Sequence, residues 1–86
     1  MAIVYTYHSL RKFKLLEQHG FRVTSEQVEE TLTAPDVVIP QQKGRYIAQK
    51  RISQHYVLRV VYRKEGDNLV VITFYPGRRE RYEVNV

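Results

Sequence analysis

The chain has 86 residues, which is enough for one compact domain and too few for two. It contains no cysteine, so disulfide staples, thiolate metal sites and cysteine catalysis are excluded. Hydrophobic residues make up 43% and charged residues 27%, a globular rather than a disordered composition, and the formal net charge is +5.

In chain order, residues 3–7 (Ile-Val-Tyr-Thr-Tyr) are rich in β-branched and aromatic side chains and predict a strand. Ser9 is placed to cap a helix in which Leu10, Phe13 and Leu16 recur at helical spacing, and His19-Gly20 closes it. A second helix starts at Thr24, with Gln27 completing a capping box and Val23 and Val28 at the two positions of a hydrophobic staple. Ala34-Pro35 ends it, because a residue before proline avoids the helical region.

Beyond Pro35 the pattern turns to strands. Val37–Ile39 is short and stopped by Pro40, and Gln41–Gly44 is a loop. Arg45–Ile52, His55–Arg63 and Leu69–Tyr75 follow as three strands, joined by turns at Ser53-Gln54 and Lys64–Asp67. Pro76-Gly77 is expected to break the last of them, leaving Arg78–Glu83 and a short tail.

Short turns between successive strands predict an antiparallel meander. The two N-terminal helices must then cover one face of it, giving a two-layer α+β fold in one domain over residues 1–86. Alternation in the middle strand places Tyr56, Leu58, Val60 and Tyr62 in the helix-covered core. Val57, Arg59 and Val61 then face the opposite, more open side. Met1–Tyr7 lacks a basic leader, and the longest near-apolar run, Leu69–Tyr75, falls far short of the ~20 residues that span a bilayer. The expectation is a soluble cytoplasmic protein with no membrane partner.

Charge is unevenly distributed. Residues 1–40 carry four Lys/Arg and five acids, whereas residues 41–86 carry ten Lys/Arg and four acids. A positive second half fits an anionic partner such as nucleic acid or an acidic protein. His8, His19 and His55 share no metal-ligand spacing, and no glycine-rich phosphate loop is present, so neither a metal nor another cofactor is expected.

What remains is a basic and aromatic constellation: Tyr75, Arg78, Arg79, Arg81 and Tyr82, with Arg45, Lys50, Arg51, Arg59 and Arg63 on strands expected to lie beside them. Guanidinium groups fork onto phosphate, and tyrosine and arginine planes stack on unpaired bases. Cleavage of RNA by transesterification needs a base for the 2′-hydroxyl, cations for the phosphorane and an acid for the leaving oxygen. Arginine stays protonated and is a poor general base, so His8, His55 or a perturbed tyrosine must carry proton transfer, and His8, where the first strand passes into the first helix, is the leading candidate.

The element order, the stretches Leu32–Asp36, Gly44–Ala48, Val57–Tyr62 and Leu69–Tyr75, and the ending Gly77-Arg78-Arg79-Glu80-Arg81-Tyr82-Glu83 resemble the small bacterial BrnT-like proteins. They also resemble a related uncharacterised domain family of toxin–antitoxin-type gene pairs, both within the RelE superfamily of ribonuclease toxins. The resemblance implies a metal-independent endoribonuclease acting on messenger RNA, in some members on the ribosome, and an antitoxin that covers the basic face. By position it assigns catalytic roles to Arg59, Arg78 and Tyr82, to which the geometry adds His8. Arg45, Lys50, Arg51, Arg79 and Arg81 are the expected RNA-binding residues, converging with them on one concave basic surface. A non-catalytic RNA-binding module, or a protein-interaction partner that keeps the fold, is the alternative the residues leave open.

Overall fold

A computed structural model describes residues 2–83. Five strands, β1 (Ile3–Tyr5), β2 (Val37–Pro40), β3 (Arg45–Arg51), β4 (Tyr56–Glu65) and β5 (Asn68–Arg78), form one sheet in the order β1-β5-β4-β3-β2. Helices α1 (Tyr7–Gln18) and α2 (Ser25–Thr33) lie between β1 and β2 in sequence, and a four-residue helix, α3 (Arg79–Tyr82), follows β5. The fold is therefore α+β, with β2 to β5 an antiparallel meander as expected. The sheet as a whole is mixed, because β1 adds to β5 in parallel through Ile3–Leu69, Val4–Val70 and Tyr5–Val71.

The helix starts follow from side-chain oxygens that satisfy the free N–H groups of a first turn. At α2 the capping box is complete: Gln27 N–H donates to Thr24 Oγ1 at 3.1 Å and Thr24 N–H donates to Gln27 Oε1 at 3.0 Å. Val23 and Val28 are buried beside it. At α1 the cap is Thr6, not Ser9. Ser9 lies one turn inside, fully buried; its N–H donates to Thr6 Oγ1 and its hydroxyl to the Thr6 carbonyl. The helix thus begins three residues earlier than expected; Leu10, expected on the apolar stripe, is exposed, and Phe13 and Leu16 pack against the core.

The core lies between the helices and one face of the sheet. Val28, Leu58, Val60, Val71 and Phe74 are excluded from solvent, each worth about 1.5–3 kcal/mol of transfer free energy. Phe13 packs on Phe74 with ring centroids 4.6 Å apart, and Phe21 meets Tyr56 edge-on at 4.8 Å. Tyr56, Leu58, Val60 and Tyr62 face this layer, as their alternation predicts. Burial and a hydrogen bond to Glu29 push the Tyr5 hydroxyl well above the ordinary phenol range.

β5 departs most from expectation. It does not stop at Tyr75: Pro76 pairs with Leu58 and Gly77 with Val57, and the strand ends at Arg78. Proline is tolerated there because β1 covers β5 only as far as Val71, so the rest of its outer side is a sheet edge. β5 also carries a bulge. Val61 pairs with Thr73 but Tyr62 with Val71, so Ile72 has no opposite residue. The extra residue shifts the alternation by one and places Thr73, Tyr75 and Gly77 on the face away from the helices, with Val61, Arg59 and Val57. No helix among the described residues is long and apolar enough to cross a membrane.

Candidate functional site

The face opposite the helices is built in rows across the strands. In one row Gln49 of β3 pairs with Arg59 of β4, which pairs with Tyr75 of β5. Arg59 is only 9% exposed and Gln49 only 4%. The guanidinium donates through Nε to the Tyr75 hydroxyl at 3.0 Å and through Nη1 to Gln49 Oε1. The Tyr82 ring covers it, with its centroid 4.2 Å from the guanidinium carbon. Tyr82 gets that close because Gly77 lies beneath it: a Cβ at Gly77 would sit 2.5 Å from Tyr82 Cδ2. α3 carries Tyr82 into this position, and Gln49 Nε2 holds the Tyr82 carbonyl at 3.4 Å.

Arg59 has no carboxylate within ion-pairing distance among the described residues. Burying a charge without a counter-charge costs several kcal/mol, so this position is maintained by neutral acceptors and two aromatic faces, Tyr82 and, at 5.8 Å, Tyr75. Such a guanidinium has N–H donors to spare and gains from an incoming anion. The Tyr75 hydroxyl accepts from Arg59, which leaves its own proton available to donate outward.

The next row holds Ile47, Val61 and Thr73. His8, on the first turn of α1, reaches this row from the sheet edge: its Nε2 lies 3.3 Å from Thr73 Oγ1. His8 and the Arg59 cluster therefore occupy adjacent rows of one surface.

The chain superposes on the 1.1 Å crystal structure of the Brucella abortus ribonuclease toxin BrnT with a TM-score of 0.57, covering 90% of this chain and 96% of that one. The fold is BrnT-like. At 21% identity the likeness is one of fold, and no family model and no curated protein sequence matches the chain.

Within this BrnT-like frame the basic residues do not all converge on one surface as their sequence positions suggest. Arg59, His8 and Tyr82 come together. Arg78 does not: it pairs across the ladder with Tyr56, so it belongs to the helix-side face at the sheet's end, with its guanidinium 5.8 Å from the Tyr56 ring. Lys50 also lies on the helix side, where its Nζ donates to the Ala34 carbonyl at 2.9 Å and caps the end of α2.

Arg51 and Arg79 share one carboxylate, Glu83. Arg51 reaches it through Nε at 3.2 Å and Nη2 at 3.1 Å, and Arg79 through Nε at 2.6 Å. Arg79 Nη1 is further occupied by the Gln54 carbonyl at 2.7 Å. These hydrogen bonds, Arg51 first and Arg79 second, hold the Glu83 carboxyl below the usual carboxylate range. Arg45 is exposed on the open face, and Arg81 is exposed on α3.

Sequence reasoning missed Gln49 and the approach of Thr73 to His8, and did not single out Tyr75 among the tyrosines that could transfer a proton. Tyr75 was concealed by the bulge, since unbroken alternation assigns it to the face of Leu69. Gln49 does carry a signal: it is a polar residue between Ala48 and Lys50 on a strand that pairs with the Arg59 strand. No group of three or more His, Asp or Glu side chains among the described residues is arranged to hold a metal ion.

Proposed function

We propose that this protein is a toxin-type endoribonuclease that binds a phosphodiester at Arg59. The observation that carries the reading is a buried guanidinium with no carboxylate partner among the described residues, on the open face of a BrnT-like fold, hydrogen-bonded to a tyrosine hydroxyl that keeps a proton to give.

In this reading the substrate 2′-hydroxyl attacks the adjacent phosphorus while its proton passes to His8. Arg59 holds the equatorial oxygens as negative charge accumulates, a contribution of about 3–4 kcal/mol for a donor of this kind. Tyr75 donates its proton to the departing 5′-oxygen, leaving a 2′,3′-cyclic phosphate and a free 5′-hydroxyl. Tyr82 stacks on the guanidinium and fixes its plane. Arg45 and Arg81, free of ion-pair partners among the described residues, steer the strand. Every group the reaction needs is a side chain, so the activity proposed is metal-independent. The protein acts in the cytoplasm on messenger RNA, and an acidic antitoxin restrains it by covering the same face.

Incubation with single-stranded RNA in the presence of a chelator tests this. Cleavage should occur and yield cyclic-phosphate ends. Tyr75→Phe should slow cleavage per folded molecule by about 10²–10⁴-fold, an effect separate from the roughly 1–3 kcal/mol of stability lost when Arg59 Nε loses its acceptor. Binding without cleavage, or full activity in Tyr75→Phe, would overturn the catalytic assignment.

A further inference from the structure

The open face has a cleft that spans the two rows beyond Arg59. The β2–β3 loop, with Lys43 and Gly44 in the left-handed region (φ 61° and 71°), borders this shallow, open cleft of about 550 Å³. Its floor is aliphatic, formed by Ile47 and Val61, and its rim carries Pro40, Lys43 and Arg45. Gln41 Nε2 donates to the Pro40 carbonyl at 3.2 Å and Gln41 N–H to the Arg45 carbonyl at 2.8 Å, so the loop is held in shape by its own bonds.

Charge at this cleft is unbalanced. Arg45 stands directly opposite Arg63 in the β3–β4 ladder, a like-charge pairing that destabilises an isolated sheet. Arg63 is relieved by Glu65 at 2.8 Å, but neither Lys43 nor Arg45 has an ion-pair partner among the described residues. The floor residues Ile47 and Val61 form the row directly next to Arg59, and the Arg45–Arg63 row comes after it. Same-face rows are about 7 Å apart along a strand, so Arg59 and Arg45 lie roughly 13 Å from each other.

We infer that this cleft is a second subsite for the same nucleic-acid strand. A base rests on Ile47 and Val61, and the phosphate beyond it meets Lys43 and Arg45. The inference rests on the reading of Arg59 as the phosphodiester site and adds where the neighbouring nucleotides go. Two cationic rows separated by an apolar floor suit a single strand, whose backbone phosphates seek the cations while its bases, carried to one side of the backbone, offer flat apolar faces to the floor. The site reads the strand by charge and shape rather than by base-edge hydrogen bonds, since its floor is made of aliphatic side chains.

The probe is a labelled DNA oligonucleotide, which lacks the 2′-hydroxyl and is not cleaved. Its binding is followed by anisotropy as salt is varied, using a dinucleotide and a hexanucleotide. The unaltered protein should bind the hexanucleotide more tightly, because only the longer probe reaches both rows. The double variant Lys43→Ala/Arg45→Ala, whose sites are exposed and whose fold is checked by thermal melting, should erase that difference. It should weaken hexanucleotide binding by about 10-fold and lower the salt slope by roughly 0.7 for each phosphate no longer neutralised. Unchanged affinity and slope in the double variant would overturn the subsite. So would the absence of oligonucleotide binding in the unaltered protein, the result expected if the rim serves an acidic protein instead. Length-dependent binding without RNA cleavage would uphold the subsite and defeat the catalytic reading; cleavage that is indifferent to Lys43 and Arg45 would do the reverse.

Discussion

Gly77→Ala is the most direct probe of how the Arg59 cluster is held. The added methyl would lie 2.5 Å from Tyr82 Cδ2 and 3.3 Å from Cζ, whereas carbon atoms rest at about 3.5–4.0 Å. The ring must retreat by about 1 Å, which lifts it from the guanidinium it now covers at 4.2 Å. Overpacking of this kind costs about 1–3 kcal/mol, and weakening the cation–π attraction about 0.5–2 kcal/mol. A destabilisation near 2 kcal/mol in a chain of this length lowers the melting temperature by about 10 °C. The decisive measurement is a double-mutant cycle with Tyr82→Ala, read by denaturant unfolding. Once the ring is gone the methyl meets no obstacle, and Gly77 has no positive φ to protect. In that background the same substitution should be neutral, or stabilising by about 0.5 kcal/mol through the unfolded chain. An equal cost in both backgrounds, or no cost in the unaltered protein, would refute the account of Gly77 as the seat of the Tyr82 ring.

Other expectations concern the site and its supports. Arg59→Met removes a buried charge along with its bonds, so the two effects should nearly offset and leave stability within about 1–2 kcal/mol, while RNA cleavage falls by at least about 10²-fold; a destabilisation of several kcal/mol with activity tracking the folded fraction would make Arg59 a structural residue. Glu83 is held below the ordinary carboxylate range, so its contribution is present at neutral pH and disappears as acid protonates it. The stability gap between the unaltered protein and Glu83→Gln should therefore shrink from about pH 6 to about pH 3, as followed by urea titration at each pH. Thr24→Ala should cost about 1 kcal/mol by chemical unfolding, with cleavage per folded molecule unchanged.

The parts of the fold legible in the sequence are those whose cause is local. The capping box of Thr24 and Gln27 needs only four residues of context, and the alternation of Tyr56 to Tyr62 needs only one strand. The parts that escaped depend on partners far away. Nothing near Ile3–Tyr5 announces parallel pairing with Leu69–Val71, more than sixty positions later. Pro76-Gly77 reads as a break unless one knows that β1 ends early and leaves an edge. The site suffered in the same way: a basic residue in a strand can be named from sequence, but its face depends on the phase of the ladder. One bulge residue, Ile72, separates Arg78 from the surface that Tyr75 joins. The pairing of Arg79 with Glu83 is a local i,i+4 contact, but that of Arg51 with Glu83 required the sheet's end to bring residues 32 positions apart together.

Glu83 also gives the open face a polarity. By bonding one arginine from β3 and one from α3, it offsets part of the positive charge at the end of the sheet where β3 finishes and α3 begins. At the hairpin end, Lys43 and Arg45 stay unscreened. If a single strand binds this face as proposed, Glu83 leaves the guanidinium groups of Arg51 and Arg79 less available to it than Lys43 and Arg45, without itself touching the strand.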